Sequence, residues 1–277
     1  HYYWGATYRE KGYTSFAVEE YLAAIRLMPV RDEFLAMIYD NLAECYEEDD
    51  LYDVAIEAYQ QAYQILKGRS EQTYPLRGIA RMCLLQNKKD SALYYYQLTL
   101  DDALSDQDSS MVGALYHDLA MVYNEKKDYI QANKYVSKAI AIQGPDAVNT
   151  FLSKAQIMLN LNQLDSASYF YNKSLDQLDI YGKGVCYDGM YQIAKRRGEW
   201  ELATENMDAY KILYDSIQFI NDNKEFLLWF DNVEVENKRV SNKRFFVFST
   251  VITDTTVIDV ITDTTVIDNN IQQELDI

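Results

Sequence analysis

Six alanines recur along the chain at nearly constant intervals: Ala17, Ala55, Ala92, Ala132, Ala167 and Ala203, spaced 38, 37, 40, 35 and 36 residues apart. A period of this size constrains the fold more than any local propensity. Each period must be one supersecondary unit that buries its apolar face on the units beside it. The best-formed unit runs from Tyr116 to Pro145. Tyr116, Leu119, Ala120 and Tyr123 fall at i, i+3, i+4 and i+7, one stripe of an amphipathic helix, and Ala132, Val136 and Ala139 form a second stripe. The polar stretch 124–127 separates them, and Asp128 with Gln131 three residues later reads as a helix start. Gly144-Pro145 stops the second helix. The unit is helix–turn–helix, with alanine where two helices must approach closely.

This pattern resembles the tetratricopeptide repeat, with Tyr116 in its aromatic slot, Leu119 in its leucine slot and Ala120 in its small slot. The slots refill along the chain. The first unit has Trp4, Gly5 and Tyr8, then Gly12 in the turn and Ala17, Tyr21, Ala24 and Pro29. The second has Tyr39, Leu42, Ala43 and Tyr46, then Ala55, Tyr59 and Ala62. The third has Leu76, Ile79, Ala80 and Cys83, then Ala92, Tyr96 and Thr99. The fifth has Phe151, Ala155 and Met158, then Ala167, Tyr171 and Ser174, with Lys154 standing where leucine is expected. The sixth has Tyr187, Met190 and Ala194, then Gly198, Ala203, Met207 and Tyr210, with Tyr191 in the small slot. The resemblance implies an all-α fold, a right-handed α-solenoid of about six units near 1–30, 36–68, 73–105, 113–145, 148–180 and 184–215. The usual period is about 34 residues, so the helices or the inter-unit turns are long here, most visibly at the acidic, serine-rich stretch 101–110.

With 48% hydrophobic residues, ten Gly and three Pro, the chain has a core to bury and too few turn formers for a sandwich or barrel. A net charge of −17 disfavours direct nucleic-acid binding or an anionic membrane surface as the main partner. It suits a solvated surface or one that steers a basic partner. Cys45, Cys83 and Cys186 lack metal-ligand spacing and read as buried thiols; with only His1 and His117, a zinc site or a histidine-dependent nucleophile has little raw material. No cofactor motif is present, and no enzyme is expected. The chain begins at His1 without Met, which reads as a trimmed or processed start partway into a first helix.

Beyond the solenoid, assigned to 1–210, residues 211–241 read as one long helix or two abutting ones, either capping the solenoid end or leading on as a stalk. Residues 242–277 form an irregular tail. Asn242, Lys243 and Arg244 precede an apolar run, 245–252, that starts like a transmembrane helix but is too short to span. VITDTTVID then occurs twice, at 251–259 and 260–268, as a slippage scar or a β-prone element. This arrangement resembles membrane-anchored bacterial repeat regulators. That resemblance implies extracytoplasmic repeats in the cell envelope, a former membrane anchor after Arg244, and lost DNA-binding output; without it, the chain is expected in the cytoplasm.

The first reading is a non-catalytic scaffold with a protein or peptide ligand in a concave groove lined by the first helices. Residues beside the packing stripe are the candidate contacts: Asp40, Glu44 and Glu47; Arg77 and Arg81; His117, Met121 and Asn124; Gln156; and Asp188, Gln192 and Lys195. The Lys/Asn set with which some family members clamp a peptide carboxylate is not found. Arg77 and Arg81, one turn apart, either hold a carboxylate or phosphate or pair with acidic residues of the preceding unit.

Overall fold

Apolar stripes at helical spacing, broken every 9 to 23 residues by short polar turns, give twelve α-helices among the described residues. They pair in sequence order: α1 (Tyr2–Glu10) with α2 (Thr14–Leu27), α3 (Glu33–Glu48) with α4 (Tyr52–Leu66), and α5 (Thr73–Leu85) with α6 (Lys89–Ser105). They continue with α7 (Ser109–Glu125) and α8 (Tyr129–Gln143), α9 (Val148–Asn160) and α10 (Leu164–Leu175), and α11 (Ile180–Arg197) and α12 (Trp200–Asp222). The computed structural model describes residues 1–28 and 30–222. The described residues all belong to one compact unit. Pro29, the rest of the 211–241 segment after Asp222, and the tail at 242–277 with its duplication and apolar run lie outside the described residues. The expected boundary at 211 falls inside α12, which continues the second helix of the sixth pair without a break.

Each pair closes through the same turn. Its central residue is left-handed: Gly12, Asp50, Asn87, Lys127, Asn162 and Gly198, with φ of 76°, 59°, 60°, 63°, 60° and 75°. The next amide donates back across the helix end, from Tyr13 to Tyr8, Leu51 to Tyr46, Lys88 to Cys83, Asp128 to Tyr123, Gln163 to Met158 and Glu199 to Ala194, at 2.8–3.0 Å. This is the Schellman arrangement, which satisfies carbonyls the helix end would leave unpaired. Asp128 then caps α8, its Oδ1 accepting from the Gln131 amide at 3.1 Å, as the sequence reading of that turn requires. The long stretch at 101–110 is taken up by an extended α6 and an early start to α7, where Asp108 Oδ1 accepts from the Met111 amide.

The recurring alanines Ala17, Ala55, Ala92, Ala132 and Ala167 are fully buried, and Tyr21, Tyr59, Tyr96 and Tyr171 pack beside them with at most 3% exposure. Backbone comes close enough to these tyrosines to demand glycine at two equivalent places. A Cβ on Gly78 would stand 2.5 Å from the Tyr59 ring, and one on Gly189 would stand 2.2 Å from Tyr171 Cζ. Lys154, in a leucine slot, keeps its half-buried stem in the unit and sends its ammonium to Asn133 Oδ1 and, at 2.7 Å, Ser137 Oγ on α8. Cys45, Cys83 and Cys186 are buried free thiols, and burial first of all pushes each pKa upward, that of Cys45 to about 12. Among the described residues no helix is long and apolar enough to cross a membrane.

Candidate functional site

The first helices α1, α3, α5, α7, α9 and α11 stand side by side, and polar side chains cross each gap between them. Arg9 on α1 reaches Asn41 at 3.1 Å, Glu44 at 2.5 Å and Glu48 at 3.2 Å on α3. Glu47 on α3 takes the Arg81 guanidinium from α5, and Arg81 also donates to the Tyr59 hydroxyl at 3.2 Å. Arg77 on α5 grips Asp118 on α7 with Nε at 2.6 Å and Nη2 at 3.3 Å. His117 Nε2 lies 2.8 Å from Ser153 Oγ on α9, and Asn160 donates to Asn124 at 3.0 Å across the same gap. Arg196 on α11 donates to the Leu159 carbonyl at 2.7 Å.

Most of the side chains that sequence spacing nominates for a partner therefore face this wall but are spent within it. Glu44, Glu47, Arg77, Arg81, His117 and Asn124 all belong to the ladder. Gln156 accepts from the Tyr171 hydroxyl at 3.1 Å, Gln192 donates to Asp188 at 2.7 Å, and the exposed Lys195 lies 5.7 Å from the Tyr191 ring. Arg81 pairs with the preceding unit, as one of the two sequence readings holds, whereas Arg77 turns to the following one. Burial by itself would lower the pKa of both guanidinium groups; hydrogen bonds and charge from Asp118, and from Tyr59 and Glu47, more than offset it and raise both. Half-buried Met121 remains on the face, as does Asp40. Its Oδ1 is closed off from solvent and accepts no hydrogen bond from the protein. Burial first, then the Glu44 charge, pushes its carboxyl from the ordinary 3.8 up to about 7.

Asp40 opens onto a cleft of about 490 Å³ between α3, α4 and α5. Glu33, Met37, Asn41 and Glu44 share its α3 wall, Tyr59 and Leu66 come from α4, and Tyr74, Arg77, Gly78 and Arg81 form the α5 wall. The cleft therefore gathers four sequence-nominated residues, Asp40, Glu44, Arg77 and Arg81, while those on α7, α9 and α11 lie along the face away from it. The sequence reading missed Gly78, Asp118 and Ser153. All three stand two residues before the small slot of their unit, as do Asn41 and Gly189, so aligning the repeats reveals one column of small or polar residues. A glycine interrupting an amphipathic helix was the available local signal.

Ser153, His117 and Asp118 do not form a nucleophilic relay. His117 Nδ1 is 3.9 Å from Asp118 Oδ1, both Asp118 oxygens are held by Arg77, and the Ser153 hydroxyl donates to the Asn149 carbonyl at 3.1 Å. Burial holds the pKa of His117 below its ordinary value, with Asp118 opposing the shift and Arg77 adding to it. Among the described residues no three His, Cys, Asp or Glu side chains gather as metal ligands.

Comparison with known proteins agrees with this architecture. Residues 113–145 match the family model described as "Tetratricopeptide repeat", the unit that sequence spacing marks as best formed. No curated protein sequence matches the chain. The fold is similar to crystal-structure chains of BtubC (BKLC) from P. vanneervenii, at TM-score 0.62 and 14% identity over 90% of this chain and 98% of that one. It is similar to Pseudomonas aeruginosa pilF, at TM-score 0.58 and 18% identity over 80% and 94% of the two chains. A third similar structure is a Rap protein complexed with competence and sporulation factor, at TM-score 0.59 and 16% identity over 86% and 74%.

Proposed function

We propose that this chain, whose residues 113–145 match the tetratricopeptide-repeat model and whose fold is similar to solved helical-repeat structures, is a non-catalytic scaffold that takes a protein or peptide segment along the face of its first helices. The α3–α5 cleft is the observation that carries this reading. Its volume is within the range of small-ligand pockets, about 300–1,000 Å³, and it is open enough to admit a side chain from an extended segment. Its walls are held by Arg9–Glu44, Arg81–Glu47 and Arg77–Asp118, so little ordering is required of the protein on binding. The Rap protein of similar fold, crystallised with competence and sporulation factor, supports a binding role for an architecture of this kind.

The test is an array of short peptides of varied sequence, probed with the full chain and with Tyr74→Ala and Met37→Ala. Tyr74 is 59% exposed and Met37 38% exposed, so truncating either leaves the packing intact. Peptides retained by the wild type and weakened at least fivefold by either substitution are expected. No retained peptide, or retention indifferent to both substitutions, rejects the cleft as the binding site.

A further inference from the structure

Charge in the α3–α5 cleft is unevenly satisfied. On the basic wall, Arg81 is engaged by Glu47 and Tyr59, and Arg77 by Asp118. An anionic ligand there would have to compete with carboxylates already in place. On the acidic wall, Glu44 is held by Arg9 and Glu33 by Arg69. Asp40 differs from both: its buried Oδ1 accepts no hydrogen bond from the protein, and the charge that acts on it is another carboxylate, Glu44. Titratable and charged groups lining the cleft with it are Glu33 and Glu44 on its own helix, with Arg9 of α1 behind Glu44, Tyr59 on α4, the exposed Glu71 just before α5, and Tyr74, Arg77 and Arg81 on α5. Buried carboxylates are ordinarily matched by a cation or by several donors.

Granting that the cleft binds a peptide segment, we propose that it receives a lysine or arginine side chain of that segment, with the cation against Asp40 and the aliphatic stem along Met37, Tyr59 and Tyr74. Long basic side chains bury their methylenes on apolar surface while the charged head seeks a polar partner. Tyrosine faces add attraction for a cation. The net charge of −17 draws basic ligands toward the chain from a distance. Because burial and Glu44 place the Asp40 carboxyl near 7, it must lose its proton to serve as counter-ion, and binding weakens as the pH falls.

The test uses the full chain and blocked heptapeptides with alanine and leucine flanks, differing in a central lysine, arginine, norleucine or glutamate. At pH 8 the lysine and arginine peptides are expected to bind at least tenfold more tightly than the other two. That preference is lost in Asp40→Asn. Affinity of the wild type for the lysine peptide falls about tenfold from pH 8 to pH 6, following the ionised fraction of a group near 7, and Asp40→Asn does not show the fall. Circular dichroism checks that Asp40→Asn is folded; if it is not, the wild-type pH profile and the central-residue comparison decide on their own. Equal binding of norleucine, preference for glutamate, or a lysine preference that survives Asp40→Asn overturns the basic-side-chain assignment and leaves groove binding standing. Binding of no peptide by any variant overturns both.

Discussion

Asp40 works against the stability of the fold. Its carboxyl is raised from 3.8 to about 7, by burial first and Glu44 second, so the folded state favours the protonated acid more than the unfolded chain does. The sign follows from linkage: the contribution of Asp40 to stability is fully present below about pH 3.8, is lost as pH rises through about 7, and is flat above that. Asp40→Asn removes the unpaired charge. Urea unfolding at pH 8 should show the variant more stable by about 1–2 kcal/mol, on the scale of an unsatisfied buried polar group, with the gap closing toward pH 4. A variant less stable than the wild type at pH 8 contradicts the assignment. Gly189 makes the opposite case. Alanine is the better helix former by about 1 kcal/mol, yet a Cβ there would meet Tyr171, which is fully buried and tethered to Gln156. Gly189→Ala should therefore lower stability by about 1–3 kcal/mol, measured by the same unfolding curves, and pairing it with Tyr171→Leu should recover part of the loss.

The ladder explains why the arginine pair was only half legible. Two arginines one turn apart are visible in any helical reading, but their partners lie 34 and 41 residues away, about one unit in either direction. Local spacing cannot choose between the unit before and the unit after. Lys154 was legible as a departure from the pattern but not as harmless, because the receiving Asn133 and Ser137 sit on the second helix of the preceding unit. Helix starts were clearer, since an aspartate cap acts within three residues. For the Arg77–Asp118 pair, Arg77→Met alone leaves a largely buried carboxylate without its guanidinium and should cost about 1.5–3 kcal/mol. Arg77→Met combined with Asp118→Leu should cost clearly less than the sum of the two single changes, and a double-mutant cycle measures the coupling. Strict additivity would mean that the pair does not tie α5 to α7.

For the molecule as a whole, the recurring alanine spacing was enough to read the solenoid, because each unit repeats the same burial problem and solves it with the same residue types. The cleft was not readable in that way. It depends on which members of a polar column are engaged across units, and Asp40 differs from Glu44 and Glu47 by its lack of a partner rather than by residue type. The −17 charge was legible, but its meaning for a ligand emerged once the arginines were found neutralised.

The left-handed turn residue stands five positions before the recurring alanine in every one of the six units, although the units themselves run from 35 to 40 residues. Length has therefore varied between units and never within their turns, so this chain can be lengthened at some joints and not at others. A four-residue Gly-Ser insertion after Gly68, exposed and within the six residues that join α4 to α5, should leave the melting temperature within about 3 °C of the wild type, the scale of a small surface change. The same insertion after Lys127 would break the return bond from Asp128 to Tyr123 and rotate Ala132 out of register with Ala120. A loss of cooperative melting there, with none at Gly68, would mark the seams at which repeats of this chain can be joined to foreign ones.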